Sequence, residues 1–383
     1  MMMTRKEKKR VPELRFVGFE GEWKKLELRK TASINPKNGE LPDSFIYVDL
    51  ESVNNGVLEK EERISKKDAP SRAQRLLERD DILYQTVRPY QKNNLYFDKE
   101  DKDYVASTGY AQIRTDNNSK YLYQYVHTAL FVNKVLLRCT GTSYPAINST
   151  DLSKIRVSIP SKEEQQKIAT FLTSIDTRIQ QLEKKKTLLD QYKKGVMQKI
   201  FSQEIRFKDD GGKEFGEWQR RRLGEVFKSI STRPYQIKSK DFNPSGKYRI
   251  VDQGKDLIAG YSDSVDNVFN DLPIVVFGDH TTIIKFIEFD FIVGADGTKL
   301  LKNKRNDNLK YLFYNLSYNN VPQEGYKRHY SMLSEVSLQI PCLAEQTKIA
   351  HFLSALDRKI AVTNEQVEET KKWKKGLLQR MFV

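Results

Sequence analysis

Ile159-Pro-Ser-Lys-Glu-Glu-Gln-Gln-Lys-Ile-Ala-Thr-Phe-Leu172 returns 181 residues later as Ile340-Pro-Cys-Leu-Ala-Glu-Gln-Thr-Lys-Ile-Ala-His-Phe-Leu353. The register then continues without a gap. Asp176 matches Asp357, Ile179 matches Ile360, Tyr192-Lys-Lys-Gly195 matches Trp373-Lys-Lys-Gly376, and Gln198 and Phe201 match Gln379 and Phe382. Identity held in one register over 43 residues marks a copied segment, and so long a period is a duplicated domain rather than a solenoid repeat.

Each copy opens on Ile-Pro, and proline cannot sit inside a helix. Ser161 with Glu164 three residues later fits a capping box; Cys342 stands in the serine's place in the second copy, so the cap there is weaker. Apolar residues follow at steps of three and four: Ile168, Leu172, Ile175, Ile179, Leu182 and Leu189, then Val196 and Ile200. The second copy has Ile349, Leu353, Leu356, Ile360, Val367, Leu377 and Met381. This is a heptad stripe, interrupted at Lys186, Lys193, Thr363, Thr370 and Lys374. About 40 residues at 1.5 Å each make a rod of about 60 Å. That exceeds a small domain, so part of the stripe must face another long element. The matching stripe is the natural partner, and two equivalent copies related by a pseudo-twofold axis predict an antiparallel coiled coil.

The duplication extends upstream with insertions. Leu14-Arg-Phe16 and Phe19-Glu-Gly-Glu-Trp23 are echoed by Ile205-Arg-Phe207 and Phe215-Gly-Glu-Trp218, each followed by Ser-x-x-Pro at 33–36 and 231–234. The chain therefore reads as a basic tail at 1–10, a first globular head at 11–158, a helix at 159–204, a second head at 205–339 and a second helix at 340–383. Phe45-Ile-Tyr-Val-Asp-Leu50, Asp81-Ile-Leu-Tyr84, Pro273-Ile-Val-Val-Phe277 and Phe289-Asp-Phe-Ile-Val293 read as strands, and 121–132 and 308–316 as short helices. The fold class expected is mixed α/β: two heads joined by two paired helices. The heads diverge far more than the helices, as suits a chain that reads two different things at a set separation.

The 383 residues carry a formal net charge of +15. Lys and Arg outnumber Asp and Glu by four in the tail but by only two and three in the heads. That balance only weakly suggests a polyanionic partner. No stretch approaches the roughly 20 apolar residues of a membrane span. No signal segment is visible, and Cys139 and Cys342 build no disulfide framework, so a soluble cytoplasmic protein is expected.

Enzymatic signatures are missing. There is no Pro-Pro dipeptide, so no Asn/Asp-Pro-Pro-aromatic motif of adenine methyltransferases, and no phosphate-binding G-x-x-x-x-G-K-[ST] loop. His127, His280, His329 and His351 lack metal-ligand spacing, so no metal site is expected. A nuclease-like Pro42-Asp43 with Glu100-x-Lys102 is a commonplace string, and no catalytic residue is assigned. The heads do offer polar loops whose chemistry suits DNA, with Arg for guanine, Asn or Gln for adenine, and Ser, Thr or Lys for phosphate. In the first head these are Asn35 and Lys37 within 35–38, Arg88, Tyr90, Gln91, Lys92 and Asn93, and Thr142, Ser143 and Tyr144. In the second they are Arg233, Tyr235, Gln236 and Lys238, then His280 and Thr281, and Lys327, Arg328 and Tyr330 within 326–330. The two Arg-Pro-Tyr-Gln strings lie 145 residues apart, away from the repeat offset, and are a chance likeness.

Taken together, the duplicated Ile-Pro-x-x-x-Glu-Gln-x-Lys-Ile-Ala-x-Phe-Leu at 159–172 and 340–353 and the Leu-Arg-Phe…Gly-Glu-Trp opening with its echo resemble the specificity subunits of type I restriction-modification systems. The resemblance covers nearly all of the chain. It implies two target recognition domains, each reading half of a bipartite double-stranded DNA site, on helices that dock two modification (methyltransferase) subunits, with restriction (endonuclease and translocase) subunits joining them. It also implies that S-adenosylmethionine, ATP and magnesium are bound by those partners and no cofactor by this chain. The departures are Cys342 at the cap position and the Lys-rich tail. The competing readings are a coiled-coil scaffold whose heads bind proteins, and a single-chain nuclease or methyltransferase.

Overall fold

Pro160 and Pro341 each stand where a strand gives way to a helix. In the computed structural model Arg156–Ile159 runs into a 40-residue helix, Lys162–Phe201, and Ser337–Ile340 runs into a 38-residue helix, Leu343–Arg380. The structure describes residues 11–37, 39–101, 103–294, 296–325 and 327–383; the tail at 1–10, Asn38, Lys102, Ala295 and Tyr326 lie outside them. The chain divides into two compact units, one holding the residues up to Glu183 with Glu365–Val383, the other Lys184–Asn364. A unit is thus a head with one half of each long helix.

In the first head, Lys24–Glu27 pairs antiparallel with Arg156–Ile159, Lys24 opposite Ile159, so the start of the head is tied to the start of its helix. One four-stranded sheet has the order Arg63–Ser65, Ser44–Val48, Tyr104–Ser107, Ala73–Leu76, with its middle pair parallel. The other has the order Ser33–Ile34, Tyr110–Arg114, Ile82–Gln85, Leu95–Tyr96. The helix expected over 121–132 is two, Ser119–Val126 and Ala129–Leu136. The break falls at Thr128, whose hydroxyl accepts the Phe131 amide at 3.2 Å and so caps the second helix. The second head repeats the plan. Gln219–Arg222 pairs with Ser337–Ile340, a four-stranded and a five-stranded sheet follow, and the helix expected over 308–316 is Leu309–Tyr318.

The stripe residues have two neighbours. In the first unit Ile168, Leu172, Ile175 and Ile179 share one core with Trp23, Tyr121 and Val157 of the head, with Leu377 of the other long helix, and with Met381 and Phe382 just past its end. In the second unit Ile349, Leu353 and Leu356 share a core with Trp218, Tyr311 and Leu338, and with Ile200 and Phe201. Leu182 and Val367 are buried, and Leu189 and Ile360 half-buried. The early part of the first helix therefore meets the late part of the second in one unit, and the late part meets the early part in the other. The pair is an antiparallel coiled coil.

Two of the interruptions in the stripe are paired charges. Lys374 Nζ lies 2.5 Å from Asp176 in the first unit, and Lys193 Nζ lies 2.5 Å from Asp357 in the second. These are the same two positions of the repeat, exchanged. The head joins each pair. Gln124 Nε2 donates to the other Asp176 oxygen at 2.6 Å, and the Tyr314 hydroxyl to the other Asp357 oxygen at 2.5 Å.

The capping box is corrected by the structure. Ser161 Oγ does accept the Glu164 amide at 3.2 Å, but the Glu164 carboxylate turns to Arg15, taking Nε at 2.7 Å and Nη2 at 2.8 Å. In the second copy Glu345 takes Arg206 Nε at 3.2 Å, Arg206 Nη2 at 2.8 Å and Trp218 Nε1 at 3.0 Å. The opening Leu/Ile-Arg-Phe and Gly-Glu-Trp motifs thus meet the Glu of the helix motif. These hydrogen bonds raise the pKa of both guanidiniums above the ordinary arginine value. Fork geometry makes such bonds strong, and removing one partner of a buried pair leaves the other uncompensated. Replacing Glu345, whose side chain is 0% exposed, by Ala is expected to destabilise the chain by about 3 kcal/mol, read as a lower urea midpoint.

Candidate nucleic-acid interface

The polar loops named from the sequence separate into side chains that hold the fold and side chains that face outward. In the first head Asn35 adopts a left-handed backbone (φ 51°), accepts the Gln112 amide at 2.9 Å and donates to Ser149 at 2.6 Å. Asn93 Nδ2 donates to the Val53 carbonyl at 2.6 Å, and Gln91 accepts from Gln85 at 2.8 Å. Lys92 Nζ donates to the His127 carbonyl at 2.9 Å. Burial lowers the pKa of this ammonium, and the charges of Lys375 and Lys374 lower it further. The hydrogen-bonding atoms of Asn35, Asn93 and Lys92 therefore serve the loops themselves.

Arg88, Tyr90 and Tyr144 are different. Pro89–Gln91 is a single 3-10 turn flanked by left-handed residues, Arg88 (φ 52°) and Lys92 (φ 56°). Arg88 N donates to the Pro145 carbonyl at 2.7 Å, and Thr140 and Ala146 exchange both backbone bonds at 2.9 Å. A hairpin tip carrying Thr142, Ser143 and Tyr144 is thereby held beside the turn, with Gly141 in the positive-φ region that the tip requires. The Arg88 guanidinium lies 4.1 Å from the centre of the Tyr144 ring. Tyr90, Thr142, Ser143, Tyr144 and Lys37 are exposed.

In the second head Arg233, Lys238, Lys327 and Arg328 are exposed, while Tyr235 packs edge-on against Phe269 at 5.0 Å. Gln236 donates to Asp296 at 3.2 Å, and Thr281 donates to the Gln253 carbonyl at 2.5 Å. His280 Nδ1 lies 3.2 Å from the Lys327 carbonyl, and Lys327 Nζ pairs with Glu324 at 2.5 Å. The Tyr330 amide donates to the buried Asp279 carboxylate at 2.7 Å, and Lys299 Nζ lies 5.5 Å from the Tyr330 ring centre. The two Arg-Pro-Tyr-Gln strings stand at different points of the topology, between Ile82–Gln85 and Leu95–Tyr96 in one head and after Phe227–Ile230 in the other.

Sequence reasoning missed that the charges of Lys375 and Lys374 act on Lys92 of the first head's loop. The recurrence of Lys-Lys-Gly at 193–195 and 374–376 was the available signal. It also missed Lys299 in the second head, for which a lone lysine in a strand offers no signal. Among the described residues no group of three His, Cys, Asp or Glu could hold a metal ion, and no helix is long and apolar enough to cross a membrane.

The sequence profile of the type I restriction-modification DNA specificity domain matches the chain twice, over residues 23–190 and 216–372. The chain belongs to that family. It is 30% identical over 169 residues to the EcoR124I/EcoR124II specificity subunit of Escherichia coli, covering 40% of this chain and 41% of that one. It is 26% identical over 263 residues to the putative type I restriction enzyme MjaX specificity subunit of Methanocaldococcus jannaschii, covering 62% of this chain and 60% of that one. These alignments therefore span less than two thirds of either relative. The fold is shared with the crystal structure of a type I restriction-modification S subunit from M. genitalium, at a TM-score of 0.64 and 15% identity over 97% of this chain and 99% of that one.

His127 forms the floor of the Arg88–Lys92 loop. Its Nδ1 lies 2.7 Å from the Tyr123 carbonyl and its Nε2 lies 3.3 Å from Asn94 Nδ2, so the neutral ring donates at one nitrogen and accepts at the other. Burial, and then the Lys374 charge, push its pKa from 6.5 down to about 4. Between those values the unfolded chain binds the proton and the folded chain does not. The associated stability is present above pH 6.5 and is lost as pH falls toward 4. Lowering the pH from 7 to 5 is expected to remove about 2 kcal/mol through this group. Urea unfolding of the wild type and His127→Gln at both pH values measures it, the substitution flattening the dependence.

Proposed function

We propose that this chain is the non-catalytic DNA-recognition subunit of a type I restriction-modification complex. Each head reads one half of a bipartite double-stranded site, and the paired helices hold the heads apart and dock two modification subunits, which restriction subunits join in the cytoplasm. The observation that carries this reading is the twofold recurrence of one specificity domain, each copy joined to half of one antiparallel helix pair. Phosphate contacts supply salt-dependent affinity without sequence information, and base-edge contacts in the grooves supply the sequence. The heads' nearly balanced charge supports a division in which partner subunits provide much of the phosphate contact.

On this reading methylation draws on S-adenosylmethionine and cleavage on ATP with magnesium, all held by partner subunits. The residues of this chain bind, orient and space. A single-chain enzyme predicts that purified chain alone methylates or cleaves DNA, and a protein-binding scaffold predicts no sequence-specific footprint when the partners are added.

Methylated positions mapped across a genome with and without this chain test the proposal; an unchanged map overturns it. Exchanging residues 205–339 for those of a relative is expected to alter one half-site and leave the other intact. Inserting four residues, about one helical turn, into one long helix is expected to change the preferred separation of the half-sites. An unchanged separation ends the idea that the helices are a ruler.

A further inference from the structure

In the first head the Arg88 side chain is oriented by its surroundings yet unpaired within them. Its backbone occupies the left-handed region without being glycine (φ 52°), a conformation that costs of order 1 kcal/mol and persists only where the surroundings enforce it. Two features enforce it here: the bond from Arg88 N to the Pro145 carbonyl at 2.7 Å and the bridge between Val87 and Ala146. The guanidinium then lies 4.1 Å from the Tyr144 ring centre, and that ring is 64% exposed. Among the described residues its Nε is buried without a hydrogen-bond partner.

We propose that Arg88, held against Tyr144, reads a guanine in the half-site bound by the first head, with Tyr90 beside it supplying apolar contact. This inference rests on the DNA-reading function proposed above and assigns one base contact within it. Chemistry favours a base over a phosphate. A phosphate is served by a mobile point charge, and this unit provides one in exposed Lys375, whose charge acts on Lys92 of the same loop. A planar guanidinium fixed against an aromatic ring has lost its rotational freedom before binding, and its paired N–H donors match the O6 and N7 acceptors of guanine in the major groove. Strained backbone and an oriented side chain add nothing to a contact that any lysine could make.

The test uses the complex assembled with its modification subunits and a library of duplexes randomised across both half-sites. The wild-type complex is expected to select a bipartite sequence; if it selects none, the proposed function fails, whatever Arg88 does. With that sequence in hand, Arg88→Ala is expected to lower discrimination for guanine at one position of one half-site by about tenfold or more, leaving the other half-site unchanged. Arg88→Lys keeps the charge without the fork and is expected to lose the same preference. Tyr144→Phe keeps the ring and is expected to retain it, and Tyr144→Ala to weaken it. The inference is overturned if Arg88→Ala lowers affinity equally for every sequence, as a phosphate contact would, or changes nothing. It is equally overturned if Arg88→Lys keeps the guanine preference. Melting curves check the fold of each variant, and should Arg88→Ala fail to fold, the Arg88→Lys selection decides.

Discussion

One carboxylate in each unit joins three elements of the structure. Asp176 takes Lys374 from the other long helix and Gln124 from the head; Asp357 takes Lys193 and Tyr314. An apolar heptad seam is permissive, because a slip of seven residues buries a similar stripe. A paired charge within the seam is not, because a slip leaves a half-buried Lys and Asp without partners. The two clamps come from the same repeat positions, exchanged, so both are made in one antiparallel register. The same contacts set each head helix on the strut.

A second duplicated device anchors the start of each head. Arg15 and Arg206 reach the Glu of the helix motif, and the ribbon strands bring the two ends of each head together at that point. The copies differ in one detail. Trp218 donates its indole N–H to Glu345, whereas the Trp23 N–H is buried without a partner. Anchors and clamps recur while the loops between them diverge. The contacts that join helix to helix and head to helix thus reside in the repeated part of the chain, and the exposed loops in the unrepeated part.

The loops show why composition alone identifies a binding surface poorly. Asn35, Lys92 and Asn93 have the same chemistry as a base-reading residue, yet their polar atoms close turns and cap carbonyls. Tyr144 faces outward, and the half-buried Arg88, from the same string as Lys92 and Asn93, lies against its ring. What separates them is whether a backbone carbonyl or amide lies within reach, and that is fixed by strands distant in sequence. The second head shows the same division between exposed Arg233 and Arg328 and the internally bonded Thr281.

The sequence by itself determined the duplication, the two long helices with their seam, the main strands and the antiparallel sense of the pair. These follow from periodicity and repeat register, which are local or self-similar and survive without coordinates. Only the tertiary structure decided that Glu164 binds Arg15, 149 residues away, rather than closing a capping box. It also decided that Thr128 splits one expected helix into two, and which polar loop residues remain available to a ligand. A polar side chain has several partners of similar energy, and the fold chooses among them by bringing one within 3 Å.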